Sequence, residues 1–241
     1  MSAERLDKIL SGQNIATRSE SKRLALKGKI TVNGRITKRS DIKVDPEKDE
    51  IIVDGKTLVY KKYLYIMMNK PAGVISASRD RNAETVLDLL PKEMRREGLF
   101  PAGRLDKDTT GLLIITDDGE LAHRMLSPKK HVYKLYSAEC DRALDENDVK
   151  LFAEGITSGE DQFLPAAMKL TGGNSALVEI CEGKFHQIKR MFHAAGTEVT
   201  ALKRLRIGGV KLDPELEEGQ WRELTADEIT ALTDHTIREL E

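Results

Sequence analysis

Apolar residues occur along this chain mainly in short runs bounded by polar turns, a pattern typical of buried strands. Such runs at Tyr63–Met68, Leu112–Ile115 and His131–Cys140 each predict a strand. The spacing is helical at Leu144–Glu154 and at Val86–Leu90, where Thr85 would cap the helix and Pro91 would end it. Because the elements lack the regular strand-helix alternation of a Rossmann fold, the sequence predicts a mixed α+β protein.

The N-terminal part of the chain predicts a small domain of its own. A short helix over Arg5–Leu10 precedes a capping box of Thr17 and Glu20, which starts a helix that we expect to reach about Lys27. The pair Asn33–Gly34 is a strong hairpin signal. We therefore predict one domain over residues 1–60 and a larger one over 61–241, joined by a short hinge.

Three further segments complete the predicted elements. Ile188–Ala195 predicts a helix whose first turns carry cations, against the preference of a helix dipole for anions there. Leu202–Gly209 predicts a basic strand and turn. Glu217–Leu240 is acidic and predicts a mostly helical end of the chain.

Composition narrows the class of protein. A chain of 241 residues with 39% hydrophobic content can fill a core. No apolar run approaches the ~20 residues that a membrane helix needs, and the N-terminus lacks an apolar signal segment, so we expect a cytoplasmic protein. Cys140 and Cys181 stand alone and predict buried strand residues rather than a disulfide or a zinc site.

Charge is segregated along the chain although its net value is −1. Residues 5–43 hold eleven Lys/Arg and three acids, a balance of +8, and residues 184–211 hold seven against one, a balance of +6. Residues 212–241 carry a net charge of −8, opposite in sign to these two stretches. Since local potential rather than net charge attracts a polyanion, two basic stretches are compatible with a phosphate-binding face.

The most informative stretch is Phe100–Thr116, in which a Gly-bracketed polar loop runs into the apolar strand. The loop carries Arg104, Asp106 and Asp108, and loops held by a buried strand commonly carry reacting groups. We expect Asp108, like Asp117 farther on, to be a solvent-facing turn residue.

Three more motifs accompany this loop: Asn69–Gly73, Lys134–Tyr136 and Glu182–Met191. Taken in this order, the set resembles the RsuA-type pseudouridine synthases that carry an N-terminal S4 domain. The resemblance covers about residues 4–232, and Gly-Arg-Leu-Asp at residues 103–106 is its most specific part.

The resemblance implies a fold and a function. It implies a small S4 domain of the αL type, followed by a catalytic domain built on a mixed, largely antiparallel sheet. It also implies that the protein isomerises a uridine of ribosomal RNA to pseudouridine, with 16S RNA and a site of the uridine-516 type favoured. Breaking the bond from the ribose to the base nitrogen and forming one from the ribose to C5 needs no redox cofactor, nucleotide or metal. We therefore predict no cofactor. We also predict a monomer that has no membrane partner.

The same resemblance assigns roles in the site. Asp106 matches the family's aspartate, which is the nucleophile or the group that assists glycosidic cleavage. Lys189 matches the cation that keeps this carboxylate charged, with Arg190 as the alternative. Arg104 would fill the space left by the flipped base. Tyr136 of the Lys-x-Tyr motif would stack on that base, while Tyr133 on the opposite strand face would not.

A wider set of residues is predicted to contact RNA. It comprises Arg5, Arg18, Lys22, Arg23, Lys27 and Lys29 in the N-terminal domain, and Lys70, Lys134, His186, Gln187 and Arg190 in the second.

Three alternatives are open at this point. The protein could modify 23S rather than 16S RNA, or it could be a non-catalytic S4 protein that binds ribosomal RNA or assists ribosome assembly. A hydrolase using Asp106 and Asp108 as a carboxylate pair fits poorly because no general acid is evident.

Overall fold

The computed structural model describes residues 3–240. Residues 1, 2 and 241, which the predicted domain ranges include, lie outside the described residues. The chain forms two compact units, one of residues 1–63 and 90–99 and the other of residues 64–89 and 100–241. Residues 90–99 thus pack with the N-terminal unit, although we placed them in the second domain. No described helix is long and apolar enough to cross a membrane.

The first unit is built from two short helices and small antiparallel sheets. Its elements are β1 (Glu4–Arg5), α1 (Leu6–Gly12), α2 (Arg18–Leu26), β2 (Ile30–Val32), β3 (Arg35–Ile36), β4 (Lys43–Val44), β5 (Ile51–Val53), β6 (Lys56–Thr57) and a 3₁₀ helix at Lys92–Met94. The capping box at Thr17 is confirmed, since its side chain accepts from the Glu20 amide and Glu20 bonds back to the Thr17 amide. The hairpin at Asn33–Gly34 is confirmed by the pairing of β2 with β3 and by positive φ at both residues.

The second unit is organised on one large sheet. Its elements are β7 (Tyr65–Lys70), β8 (Phe100–Ala102), β9 (Thr110–Thr116), α3 (Gly119–Leu126), a 3₁₀ helix at Pro128–Lys130, β10 (Lys134–Cys140), α4 (Glu146–Glu154), β11 (Thr157–Ser158), β12 (Asp161–Gln162), β13 (Ala167–Gly172), β14 (Ser175–Ile180), α5 (Gln187–Ala194), β15 (Val199–Ile207), β16 (Val210–Lys211), β17 (Trp221–Glu223) and α6 (Ala226–Ala231).

The strand order along this sheet is β13-β14-β10-β15-β9-β7-β17, with β8 beside β9 and β16 beside β15. Every described strand pair in this sheet is antiparallel except β9 with β15, which run parallel. The predicted α+β class with a largely antiparallel mixed sheet is confirmed. The parallel pair places the strand after the Asp106 loop directly beside a basic strand.

The central strands form the core of this unit. Met67, Leu112 and Ile114 are fully buried and pack with Leu121 and Met125 of α3. The strands predicted from apolar runs are therefore confirmed in position, but their ends differ. Strand β7 extends through Asn69 and Lys70, and β10 begins only at Lys134. Tyr133 consequently lies just before the strand, not within it.

Two predicted helices are wrong. Val86–Leu90 forms turns, because Asp88 accepts bonds from the Thr85 amide and hydroxyl and Pro91 follows within one turn. The acidic end is helical only at Ala226–Ala231, since Trp221–Glu223 pairs as a strand with β7. Tertiary pairing overrode the local helical pattern there.

Candidate active site

The loop between β8 and β9 that carries Asp106 is held by its neighbours at several points. The Ser76 hydroxyl donates to the Leu105 carbonyl at 2.9 Å and accepts from the Leu105 amide at 3.0 Å. The Thr109 amide donates to the Asp106 carbonyl at 3.1 Å. The carboxylate, 26% exposed, is thus presented from a loop that is fixed on both sides.

Lys70 fastens the same loop from within the core. Its side chain is fully buried, and its ammonium donates to the carbonyls of Pro71, Lys107 and Thr109 at 2.9, 3.3 and 2.9 Å. Burial lowers the pKa of Lys70 to about 8. Since no surface of this lysine is available, the predicted RNA contact does not fit, and its geometry is that of a residue that positions the loop.

Helix α5 supplies the cation nearest to Asp106. Lys189 Nζ lies 3.3 Å from Asp106 Oδ2, so the predicted pair is brought together. The same nitrogen lies only 2.6 Å from Asp108 Oδ1 and holds the pKa of Asp108 below its usual range. The expectation that Asp108 is a solvent-facing turn residue is confirmed by its 73% exposed side chain, but this carboxylate also shares the cation. Asp117 also has a partner, since its Oδ1 accepts from the Leu64 amide at 2.8 Å.

His186 approaches Asp106 from the start of α5. Its Nε2 lies 3.3 Å from Asp106 Oδ1, and its backbone is left-handed, with φ of 48°. Such a conformation is uncommon outside glycine and is found often at functional sites. The ring of Phe185, a residue 66% exposed, stacks on the imidazole with centroids 3.8 Å apart.

The sheet contributes the buried side of the site. Tyr136 and Lys134 point from β10 and Arg204 from β15, and all three are buried. Lys134 donates to the Val132 carbonyl at 3.0 Å, while burial and the nearby Arg204 charge lower its pKa to about 8. Arg204 Nε donates to the Leu112 carbonyl at 2.7 Å, and Nη1 donates to the Tyr136 hydroxyl at 3.4 Å.

Gly111 allows β9 and β15 to lie this close. Its φ is +98°, and a Cβ at this position would lie 2.3 Å from the Arg204 carbonyl oxygen. No side chain fits there, so the glycine that closes the Asp106 motif is needed for close packing rather than for flexibility.

These elements enclose a cleft of about 360 Å³ within the second unit. Its lining includes Arg104, Asp106, Tyr136, His186, Lys189 and Arg204. Arg104 is exposed and makes no hydrogen bond within the described chain. Sequence reasoning therefore selected seven residues that line one cleft, namely Arg104, Asp106, Tyr136 and Lys189 as catalytic residues and Lys134, His186 and Gln187 as RNA contacts. It missed Arg204, for which only the basic strand prediction gave a signal.

Two residues predicted to bind RNA from α5 have internal partners instead. Arg190 bonds Asp161 at 2.6 Å and the Ser158 carbonyl at 2.7 Å. Gln187 is buried and bonds Glu182 at 2.7 Å. The Arg190 contacts attach α5 to the strands beside it. The burial of Gln187 does not fit the predicted contact with RNA.

The predicted RNA face of the first unit is more open. Arg18, Lys22, Arg23 and Lys27 are exposed along α2 and its C-terminal cap. Arg5 donates two bonds to Asp7, and Lys29 lies 2.9 Å from Asp54. Of the six residues predicted to contact RNA in this unit, the four that make no described salt bridge therefore lie on α2 and its C-terminal cap.

Comparison with known sequences agrees with this architecture. The family model for RNA pseudouridylate synthase matches residues 64–194, and the S4 domain model matches residues 4–51. The chain belongs to the RNA pseudouridylate synthase family and carries an S4 domain, as the sequence motifs predicted.

Several relatives are similar over nearly the whole chain. An uncharacterized RNA pseudouridine synthase of Bacillus subtilis, YtzG, is 44% identical over 95% of this chain and 98% of its own. The ribosomal small subunit pseudouridine synthase A of Escherichia coli is 36% identical over 95% and 99%. A solved pseudouridylate synthase is 36% identical, with a TM-score of 0.68 over 95% of this chain and 99% of that structure.

Proposed function

We propose that this protein isomerises a uridine of small-subunit ribosomal RNA to pseudouridine, at a site of the uridine-516 type. The observation that carries the proposal is the cleft in which Asp106 is fixed by its loop and lies 3.3 Å from Lys189. The choice of RNA is supported by the name of the similar Escherichia coli enzyme and by the S4 match.

In this proposal Asp106 is the anionic group of the reaction. It attacks the ribose or the base so that the bond between C1′ and N1 breaks, the base turns, and C5 joins C1′. Lys189, 3.3 Å away, places a positive charge beside this carboxylate in the cleft. The Asp108 contact implies that this cation is shared until the substrate arrives.

The remaining proposed roles concern the flipped nucleotide. Arg104 is exposed at the cleft and unbonded, which suits a side chain that enters the space vacated in the RNA. Tyr136 offers its ring as the stacking surface for the base, where stacking contributes ~1–3 kcal/mol. The exposed cations of α2 supply phosphate contacts.

The test is tritium release from transcripts of 16S and 23S RNA labelled at C5 of uridine. We expect release from 16S RNA by the wild type, and none by Asp106→Asn, which keeps the shape of the side chain without its charge. RNA affinity should be nearly unchanged. Asp227→Asn, at an exposed helix position, is the matched control and should behave as wild type.

The outcomes separate the alternatives. Release only from 23S RNA would transfer the activity to the large subunit. Tight RNA binding with no release from either RNA would favour a non-catalytic binding protein. Release by Asp106→Asn at the wild-type rate would place the chemistry on another residue.

A further inference from the structure

Two arginines on β15 are buried in different ways. Arg206 is 1% exposed and pairs with the buried carboxylate of Glu179, and its Nε lies 3.5 Å from Glu239. Arg204, two residues earlier, is 3% exposed and has no carboxylate partner among the described residues. A buried guanidinium normally needs a carboxylate, because removing its charge from water is costly.

A bulge in the sheet explains why these arginines lie on opposite faces. Tyr136 pairs with Arg204 but Leu135 pairs with Arg206, so Leu205 is an extra residue between them. An extra residue reverses the alternation of side chains along the strand. Arg206 is thereby directed to a second cavity, while Arg204 lines the cleft of Asp106.

The bonding of Arg204 is incomplete on the cleft side. Nε and Nη1 bond Leu112 and Tyr136, but Nη2 is buried and has no hydrogen-bond partner. A second buried atom of the same cleft, the Thr109 hydroxyl, is also without a partner. Unpartnered buried donors are rare in native proteins, and at a ligand site they indicate an acceptor that the ligand brings.

The chemistry of the reaction identifies this acceptor. When the bond between C1′ and N1 breaks, its electron pair stays on the base and is delocalised onto the two carbonyl oxygens, O2 and O4. Attack on the base instead places the same charge on O4. In both routes the charge returns to the ring when C5 joins C1′, C5 loses its proton and N1 gains one. A carbonyl oxygen of the uracil thus becomes more negative in the transition state.

Resting on the proposed function, we propose that Arg204 is a catalytic residue that donates from Nη2 to a carbonyl oxygen of the flipped uracil. A fixed, buried guanidinium stabilises developing charge without reorganisation. The Tyr136 hydroxyl is bonded to Arg204, and the guanidinium carbon of Arg204 lies 5.9 Å from the centre of the tyrosine ring. A base stacked on Tyr136 would therefore lie near the same guanidinium. A phosphate would instead select the exposed cations of the cleft, such as Lys184.

The experiment compares wild type, Arg204→Met and Arg204→Lys on transcripts that contain uridine, 2-thiouridine or 4-thiouridine. Sulfur accepts hydrogen bonds weakly, so the sulfur that replaces the contacted oxygen should slow the wild type. Single-turnover rates come from chromatography of the digested nucleosides. Thermal melting and circular dichroism report folding, and Arg204→Lys, which keeps a buried cation, serves if Arg204→Met does not fold.

We expect each folded variant to lose rate on uridine by about 10²-fold, the scale of one lost donor at developing charge. The variants should not distinguish uridine from the analogue that slows the wild type, and their affinity and salt dependence should stay as in the wild type. If variant and wild type discriminate equally between uridine and the sulfur analogue, Arg204 has only a structural role. A lower salt slope would indicate a phosphate contact and overturn the proposal. An inactive wild type would instead refute the proposed function.

Discussion

The cations of helix α2 and those around Asp106 are the same residue types in opposite environments. Arg18, Lys22, Arg23 and Lys27 are exposed, so each acts as an independent charge that salt screens. Lys70, Lys134 and Arg204 are buried and bonded to fixed carbonyls or a hydroxyl. In the proposed function, α2 would serve affinity for a polyanion, whereas the cleft would serve orientation and charge stabilisation.

Lys189→Met gives the largest effect that this comparison predicts. Its loss removes the cation beside Asp106, and we expect the rate to fall on the order of 100-fold. Measuring tritium release checks this loss of rate, and a rate close to that of the wild type would contradict the proposed role of Lys189.

Arg190→Met is the matched control for this variant. Arg190 lies next in sequence but bonds Asp161 and Ser158, so its loss should lower stability with little change in the rate. A large loss of rate with Arg190→Met instead of Lys189→Met would transfer the pairing role by one position.

Lys70→Met tests whether a buried cation positions the loop or binds RNA. We expect the rate to fall about tenfold or more, because three carbonyls of the loop region lose their donor and Asp106 loses its fixed position. RNA affinity and its salt slope should not change. A smaller dependence of RNA affinity on salt would instead support the predicted contact between Lys70 and RNA.

The lowered pKa of Lys70 also predicts a pH dependence of stability. Its folded pKa of about 8 lies below the usual 10.5, so between these values the unfolded chain holds a proton that the folded protein lacks. Wild-type stability should therefore gain up to about 1.4 kcal/mol per pH unit from this group as pH rises through the window. Urea unfolding at pH 8 and 10 should show the gain over Lys70→Met; equal pH dependence would contradict it.

Replacing the four exposed cations of α2 by Gln should change affinity rather than chemistry. We expect about tenfold weaker RNA binding and a salt slope smaller by up to about 3, since each lost phosphate contact contributes ~0.7. The maximal rate at saturating RNA should be retained. Lys150→Gln with Lys169→Gln, two exposed positions outside the predicted RNA set, is the control. An unchanged slope would show that α2 is only solvated surface.

Asp108→Asn gives the smallest effect. Lys189 then pairs with Asp106 alone, so the rate of tritium release should change by only about twofold, because exposed ion pairs contribute little. A loss of rate as large as that of Lys189→Met would mean that Asp108 supports the ion pair rather than competing for it.

The sequence by itself determined those elements whose signals are local, and it singled out the loop of Asp106. The capping box at Thr17, the turn at Asn33–Gly34 and the buried strand after Asp106 all depend on residues close in sequence. The resemblance of the motifs to those of the family selected Asp106, Tyr136 and Lys189, which the fold brings to one cleft.

Only the tertiary structure decided what depends on register and burial. The bulge at Leu205 separates Arg204 from Arg206, although a regular strand would place both on one face. Lys70 reaches carbonyls 37 and 39 residues away, and Lys189 meets an aspartate 81 residues away. Such contacts are fixed by which strands pair and how closely they pack, and side-chain periodicity along the chain carries no information about either.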